Sequence, residues 1–188
     1  MPRHASPRLL SHPPAALPDG DGPALRVLVQ TFIRTIGLLS GDHTPCGKPL
    51  AVSHAHALMV LLERDRLGAT PGQRELGAAL GIDKSNVARL CHRMEKAGHL
   101  RQARSRDDGR ARLLLLTPQG RRVAEAVERS SRARFEKLAA ALPAARRPAV
   151  LSALAALNQA IGTARPAMPE ARRGRPPSPV RKEGGGSP

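Results

Sequence analysis

The stretch between residues 84 and 96 combines side chains that could bind a polyanion. If it is helical, Ser85, Arg89 and His92 share the side opposite its apolar residues. Glu95 is the only acid between its two terminal lysines, although a solvent-facing helix normally mixes charges of both signs. We therefore predict a nucleic-acid-binding face made of Lys84, Ser85, Asn86, Arg89, His92 and Arg93.

Three of these residues have the chemistry to read bases in double-stranded DNA. Arg89 can donate two hydrogen bonds to guanine, a pairing that discriminates against other bases by about 1–3 kcal/mol. Asn86 can bond adenine, and Ser85 suits a phosphate or a base edge. Residues 84–112 hold nine Lys and Arg against three acids, which predicts strongly salt-dependent binding. The alternative, a merely solvated cationic face, explains this concentration of charge less well.

Composition agrees with such a partner. The chain has 188 residues and a formal net charge of +16, which favours nucleic acid or an anionic membrane surface. No apolar run approaches the roughly 18 residues of a membrane span, and the first residues lack an apolar segment, so we expect no secretory signal. Two cysteines fit a reducing compartment, so we expect a cytoplasmic protein with no membrane partner.

Other function classes are disfavoured. With two Phe and no Tyr or Trp, the chain lacks the exposed aromatics that base-stacking platforms need. It contains no nucleophile-elbow motif, no phosphate-binding glycine loop and no plausible carboxylate pair. We therefore expect neither an enzyme nor a bound cofactor.

Proline marks the ends of the chain. Residues 1–23 and 165–188 lack periodicity and are predicted to be a disordered arm and a disordered basic tail. The tail has a net charge of +4 and the arm is neutral, so residues 24–164 keep +12. Basicity is therefore a property of the central domain.

The central domain begins with an amphipathic helix and continues with two short helices joined by a tight turn. Gly41 is predicted to stop the first helix, whose apolar stripe is Leu25, Leu28, Phe32, Ile36 and Leu39. Ser53 is predicted to cap the next helix. A capping box of Thr70 with Gln73, with Pro71 as first helical residue, would open the third. Asp83 and Gly98 then bound the fourth helix, which completes a helix-turn-helix.

The remainder predicts a wing and two more helices. Two short strands flank the turn signal Asp107-Asp108-Gly109. Thr117 and Pro118 then start a helix that Pro143 breaks, and residues 145–161 form the last helix. The predicted fold is mainly α with a small β-hairpin wing: a winged helix-turn-helix, with a DNA-binding core at about 53–117 and N- and C-terminal dimerisation helices.

The predicted dimer follows from apolar side chains that a small winged domain cannot cover. They are Leu138, Leu142, Val150, Leu154 and Leu157. A twofold homodimer would bury this patch and would match a palindromic DNA site. The alternative is that these helices fold back on their own domain.

Residues 73–120 resemble the core of the MarR family of bacterial transcription regulators. The matching features are the DKS helix start, the passage R…ME..G.L.R, the D-x-R at Asp108 and Arg110, and LT..G at 116–120. With the flanking helices, the resemblance covers about residues 24–162. It implies a dimeric regulator, most often a repressor, that binds an inverted-repeat operator and is released by a small-molecule effector or an oxidant.

The resemblance also implies a role for the wing. Arg110 would reach the minor groove or its phosphates, with Asp108 orienting it. The chain reads DDGR where the family more often has two basic residues after the Asp. Wing contacts would then be supplemented by Arg104, Arg106 and Arg112.

Three weaker signals remain open. Cys91 could be an oxidation-sensitive switch, although a buried small thiol is the usual alternative. A set of Cys and His residues has zinc-ligand types without a recognised spacing, and surface histidines are the default interpretation. That set is His43, Cys46, His54 and His56.

The third signal lies in the tail, where four residues resemble an AT-hook that enters narrow minor grooves. They are Arg173, Gly174, Arg175 and Pro176. The alternative functions are therefore an architectural, nucleoid-type protein that does not read bases, and a metal- or thiol-sensing regulator.

Overall fold

The computed structural model describes residues 16–39, 43–104 and 112–164. Within them, six α-helices, one 3₁₀ turn and one antiparallel hairpin follow each other. They are α1 (Asp21–Ile36), α2 (Val52–Arg66), α3 (Gln73–Leu80), α4 (Lys84–Lys96), β1 (Leu100–Arg104), β2 (Arg112–Leu116), α5 (Pro118–Ala141), the turn Ala144–Arg146 and α6 (Arg147–Ala164). The predicted mainly helical fold with a hairpin wing is confirmed. Described residues up to Ala144 form one compact unit, and those from Ala145 onward form a second.

The hydrophobic core of the first unit is built around α2. This helix packs against α3, α4, α5 and β2. Because apolar burial is the dominant favourable term in folding, these contacts fix the positions of α3, α4 and β2 around α2. The core residues are Ala57, Leu58, Leu61, Leu62, Leu76, Val87, Leu90, Cys91, Met94, Leu100, Leu114 and Ala124.

Helix α3 begins later than the sequence predicted. The carbonyl oxygen of Pro71 accepts a hydrogen bond from the Leu114 amide at 2.9 Å, and Gly72 forms a bridge with Leu113. Residues 71 and 72 are therefore occupied in pairing with β2 and cannot join the helix. Gly72 is the N-cap, and its amide donates to the Glu75 carboxylate at 2.7 Å. The predicted capping box of Thr70 with Gln73 is wrong.

The turn between α3 and α4 brings the two helices very close. A Cβ atom at Gly77 would lie 2.8 Å from Cγ2 of Val87 and 3.2 Å from the Ile82 carbonyl oxygen. Gly81 ends α3 with a left-handed φ of 69°, a conformation that glycine adopts at little cost. The Asp83 side chain then caps α4 by accepting the Asn86 amide. Asp83 as the cap and Gly98 just beyond the end of α4 were both predicted correctly.

Helix α1 differs from the prediction at both ends. It starts at Asp21, inside the predicted arm, and ends at Gly37 instead of Gly41. Gly37 adopts a φ of 84°, so its amide and the next one bond back to the carbonyls of Arg34 and Ile33. Similarly, the N-cap of α2 is Ala51 and not Ser53.

Helix α5 is anchored where it leaves the wing. Thr117 accepts the Gly120 amide at 2.9 Å and donates its hydroxyl to the Gly98 carbonyl at 2.6 Å. A Cβ atom at Gly120 would overlap the carbonyl oxygen of His99, so glycine permits this close contact. As predicted, the helix starts at Pro118 and ends before Pro143. In the second unit, α6 runs from Arg147 to Ala164, so it starts two residues after the predicted start and ends three residues after the predicted end.

Candidate nucleic-acid interface

Helix α4 divides cleanly between a buried apolar side and an exposed polar side. Val87, Leu90, Cys91 and Met94 are the buried residues of the helix. Their spacing turns the other side chains outward. All six predicted contact residues, together with Lys96, are exposed: Lys84, Ser85, Asn86, Arg89, His92 and Arg93.

A chain of hydrogen bonds organises the beginning of that exposed side. One carboxylate oxygen of Asp83 accepts the Asn86 backbone amide at 2.9 Å, and the other accepts the Asn86 side-chain Nδ2. The Asn86 Oδ1 in turn accepts Nη2 of Arg89 at 2.8 Å. Hydrogen bonds from Asn86, first of all its backbone amide, lower the pKa of Asp83. The carboxylate therefore stays ionised at neutral pH.

The wing strands pair in antiparallel register beside α4. The register places Leu100 opposite Leu116 at the base and Arg104 opposite Arg112 at the far end. Both arginines are exposed. The other predicted wing residues, Arg106, Asp108 and Arg110, lie outside the described residues, as do the tail residues Arg173, Gly174, Arg175 and Pro176.

The sequence did not predict how the wing is fixed to the helix-turn-helix. Gln102 on β1 donates its backbone amide and its side-chain amide to the two Glu95 carboxylate oxygens, at 3.2 and 2.9 Å. The Gln102 side-chain oxygen accepts Nε2 of Gln73 on α3 at 2.7 Å. Glu95, the one acid of α4, thus holds β1 to α4, and Gln102 links β1 to α3.

A cleft between α3, α4 and the wing adds a cation that sequence reasoning missed. Arg74 lines it together with Lys84, His92 and Arg112. The signal was present in the sequence, because Arg74 and Lys84 stand in the first turns of their helices. Cations there oppose the helix dipole, so their presence favours an external anion.

The Cys and His residues that were considered as zinc ligands do not form a common site. His54 is buried and pairs with His99, Nε2 to Nδ1 at 3.0 Å, whereas His56 is exposed. Cys46 Sγ lies 3.1 Å from the Thr44 hydroxyl. Among the described residues, no group of three or more His, Cys, Asp or Glu side chains is arranged to hold a metal ion.

Cys91 is a core residue. Its side chain is fully buried, and burial, followed by the negative charge of Glu95, raises the pKa of its thiol to about 11. Because the thiolate is the form that reacts with oxidants, this environment favours the packing interpretation over the redox switch.

Apolar side chains remain exposed away from the basic face. In the first unit, α1 has no buried residue, and Leu25, Leu28 and Phe32 are 46–49% exposed. Phe135 and Leu138 on α5 are exposed to a similar extent. In the second unit, α6 also has no buried residue, and Leu151, Leu154 and Ile161 are exposed.

No helix among the described residues is long and apolar enough to cross a membrane.

Comparison with known proteins identifies the winged region. Residues 49–111, from the start of α2 into the wing, match the model of the MarR family. Comparison with curated protein sequences gives no match.

Solved structures extend the likeness to most of the chain. FabT of Streptococcus pneumoniae, solved in complex with DNA, superposes with a TM-score of 0.63 at 16% identity, covering 76% of this chain and 99% of FabT. A probable transcriptional regulator from Pseudomonas aeruginosa has a TM-score of 0.57 at 26% identity, with 74% and 97% covered. BpsR of Bordetella bronchiseptica, whose DNA binding is regulated by 6-hydroxynicotinic acid, has a TM-score of 0.57 at 20% identity, with 78% and 98% covered.

Proposed function

We propose that the chain is a homodimeric repressor of the MarR family that binds an inverted-repeat operator. The family match at residues 49–111 supports a DNA-binding transcriptional regulator rather than an enzyme. The observation that carries this proposal is the exposed side of α4. Three consecutive residues at its start, Lys84 to Asn86, are exposed, and Arg89 and Arg93 follow one and two turns later. On a helix-turn-helix, residues at the start of the second helix reach base edges in the major groove.

The wing and the cleft supply the sequence-independent part of binding. Arg74 and Lys84 line the cleft, and Arg104 and Arg112 face each other across the hairpin. Such cations bind phosphates and release counterions, so affinity should fall steeply as salt rises. Arg106, Arg110 and the orienting Asp108 are proposed to extend these contacts.

The dimer is supported by each unit separately. On the first unit, exposed apolar residues of α1 and α5 include Leu28, Phe32 and Phe135. On the second, Leu151 and Leu154 of α6 are exposed. A monomer rarely leaves so many large apolar side chains in water, and a second copy would cover them.

We also propose that a small anionic ligand releases the DNA. A cleft between the loop at Cys46 and α5 is lined by Arg134 and Lys137 beside the apolar Leu138. Two cations next to an apolar wall suit a small carboxylate with an apolar body, and 6-hydroxynicotinic acid regulates BpsR. Titration of the operator complex with aromatic carboxylates tests this site. The carboxylate should release DNA from the wild-type protein at a lower concentration than from the Lys137→Gln variant.

Selection of bound fragments from random duplex DNA at near-physiological salt, followed by sequencing, tests the main proposal. We expect an inverted repeat with half-sites about one helical turn apart. Sedimentation equilibrium at the same salt should give twice the monomer mass. Recovery of A·T-rich DNA without a repeat would contradict the operator and favour an architectural protein that uses its basic tail.

A further inference from the structure

We propose that Asn86 is a positioning residue that holds the Arg89 guanidinium for base reading, and is not itself a base reader. The inference rests on the proposed function, because it assumes that Arg89 reads an operator. Asp83, Asn86 and Arg89 follow each other at three-residue intervals. Side chains three apart are neighbours on a helix, and here they form one continuous hydrogen-bonded row.

The direction of each bond in the row is set by chemistry. The ionised Asp83 carboxylate has no proton to donate and can only accept. The Asn86 amide must therefore turn its nitrogen toward Asp83, where Nδ2 donates to Oδ2. Its oxygen then faces the other way, and it accepts Nη2 of Arg89 at 2.8 Å.

In this arrangement both polar groups of the exposed Asn86 side chain form intramolecular hydrogen bonds. Bidentate recognition of adenine needs this nitrogen and oxygen together, and after the bonds to Asp83 and Arg89 the amide keeps only one N–H and one oxygen lone pair for it. The Arg89 guanidinium, by contrast, has five N–H donors and gives one to Asn86. Its remaining donors are available for a guanine edge, and the bond reduces the freedom that it would lose on binding.

Base-resolved selection with variants separates the two roles. We expect Asn86→Ala to weaken preference at the same base pair as Arg89→Ala, by about threefold to tenfold. The double variant should match Arg89→Ala alone, because the Asn86 effect acts through Arg89. Lys96→Ala, which removes another exposed cation of α4, is the control: it should lower affinity on all sequences without changing the preferred bases.

Asp83→Ser distinguishes positioning from helix capping. Serine still caps α4 by accepting the Asn86 amide, but it lacks the second oxygen that holds the Asn86 side chain. The melting temperature should stay close to wild type while preference at the Arg89 base pair weakens.

Three results would overturn the inference. If Asn86→Ala erased preference at a base pair that Arg89→Ala leaves intact, Asn86 would be a reader. An unchanged Asn86→Ala profile would mean that Arg89 needs no support. If the wild-type protein itself recovered no inverted repeat, the proposed function would fail together with the inference.

Discussion

The helix-turn-helix core and the terminal helices differ in whether their apolar side chains are buried. In the core, Leu58, Leu90 and Met94 are buried within one chain. In α1 and α6, no residue is buried, although both helices carry large apolar side chains such as Phe32 and Leu154. The core therefore buries its apolar side chains within one chain, whereas α1 and α6 leave theirs exposed, where the proposed second copy would cover them.

The largest expected effect contrasts Leu58→Ala with Phe32→Ala. Leu58 is fully buried, so truncation should cost about 2–5 kcal/mol of unfolding free energy at any protein concentration. Phe32 is 49% exposed, so its truncation should instead raise the dimer dissociation constant about tenfold or more. Urea unfolding at several concentrations, with sedimentation, measures both. If both substitutions lowered the unfolding free energy of the dissociated monomer equally, Phe32 would belong to the core and not to the dimer interface.

The second prediction concerns pH and the buried His54–His99 pair. Burial, then the charges of His99 and Arg93, lowers the pKa of His54 from 6.5 to about 4, and burial also lowers the pKa of His99. The unfolded chain takes up the proton near pH 6.5 and the folded chain only near pH 4. The contribution of the neutral His54 to the unfolding free energy is thus fully present above about pH 6.5. It is lost as pH falls toward 4, and amounts to roughly 3 kcal/mol.

Two variants of the same helix test that assignment. His54→Gln removes the group with the larger pKa shift and should make the unfolding free energy fall less between pH 7 and pH 4, leaving the contribution of His99. His56→Gln is the matched control, because His56 is exposed on the same helix. An equally flattened profile in the control would show that the pair is not responsible.

The third prediction applies one substitution to both regions. Gly77→Ala should destabilise the core by about 1–3 kcal/mol, because its Cβ would meet Val87 at 2.8 Å. Gly162→Ala in α6 should stabilise its helix by about 0.5–1 kcal/mol, since nothing lies within 4 Å and alanine favours helices. Thermal unfolding of both variants gives the sign. A stabilising Gly77→Ala would mean that α3 and α4 can separate without cost.

The smallest expected effect is on DNA affinity after removal of residues 165–188. This segment carries a net charge of +4 and the hook-like Arg173 to Pro176. Its loss should weaken binding about equally on all sequences and reduce the slope of affinity against salt. Titrations of operator and random DNA at three salt concentrations measure this. A loss confined to A·T-rich DNA would instead assign the segment to the minor groove.

Local signals explain which parts of the site could be predicted. Asp83, Gly98, Thr117 and Pro118 act through backbone atoms a few residues away, so their roles are readable from the sequence. The prediction of a capping box at Thr70 was wrong because Pro71 pairs with a residue far away in sequence: its carbonyl oxygen accepts the Leu114 amide. The exposed side of α4 was predictable because helical periodicity alone fixes it.

The sequence by itself determined the order of the helices, the wing and the basic side of α4, since these depend on periodicity, capping and charge along a short segment, and its motifs carried the resemblance to the MarR family. Only the tertiary structure decided that Glu95 binds Gln102 of the wing, that His54 pairs with His99, and that Cys91 is in the core. Each of these depends on side chains from different elements meeting in space. The separation of residues along the sequence does not specify such contacts, because they depend on how the other elements pack around α2.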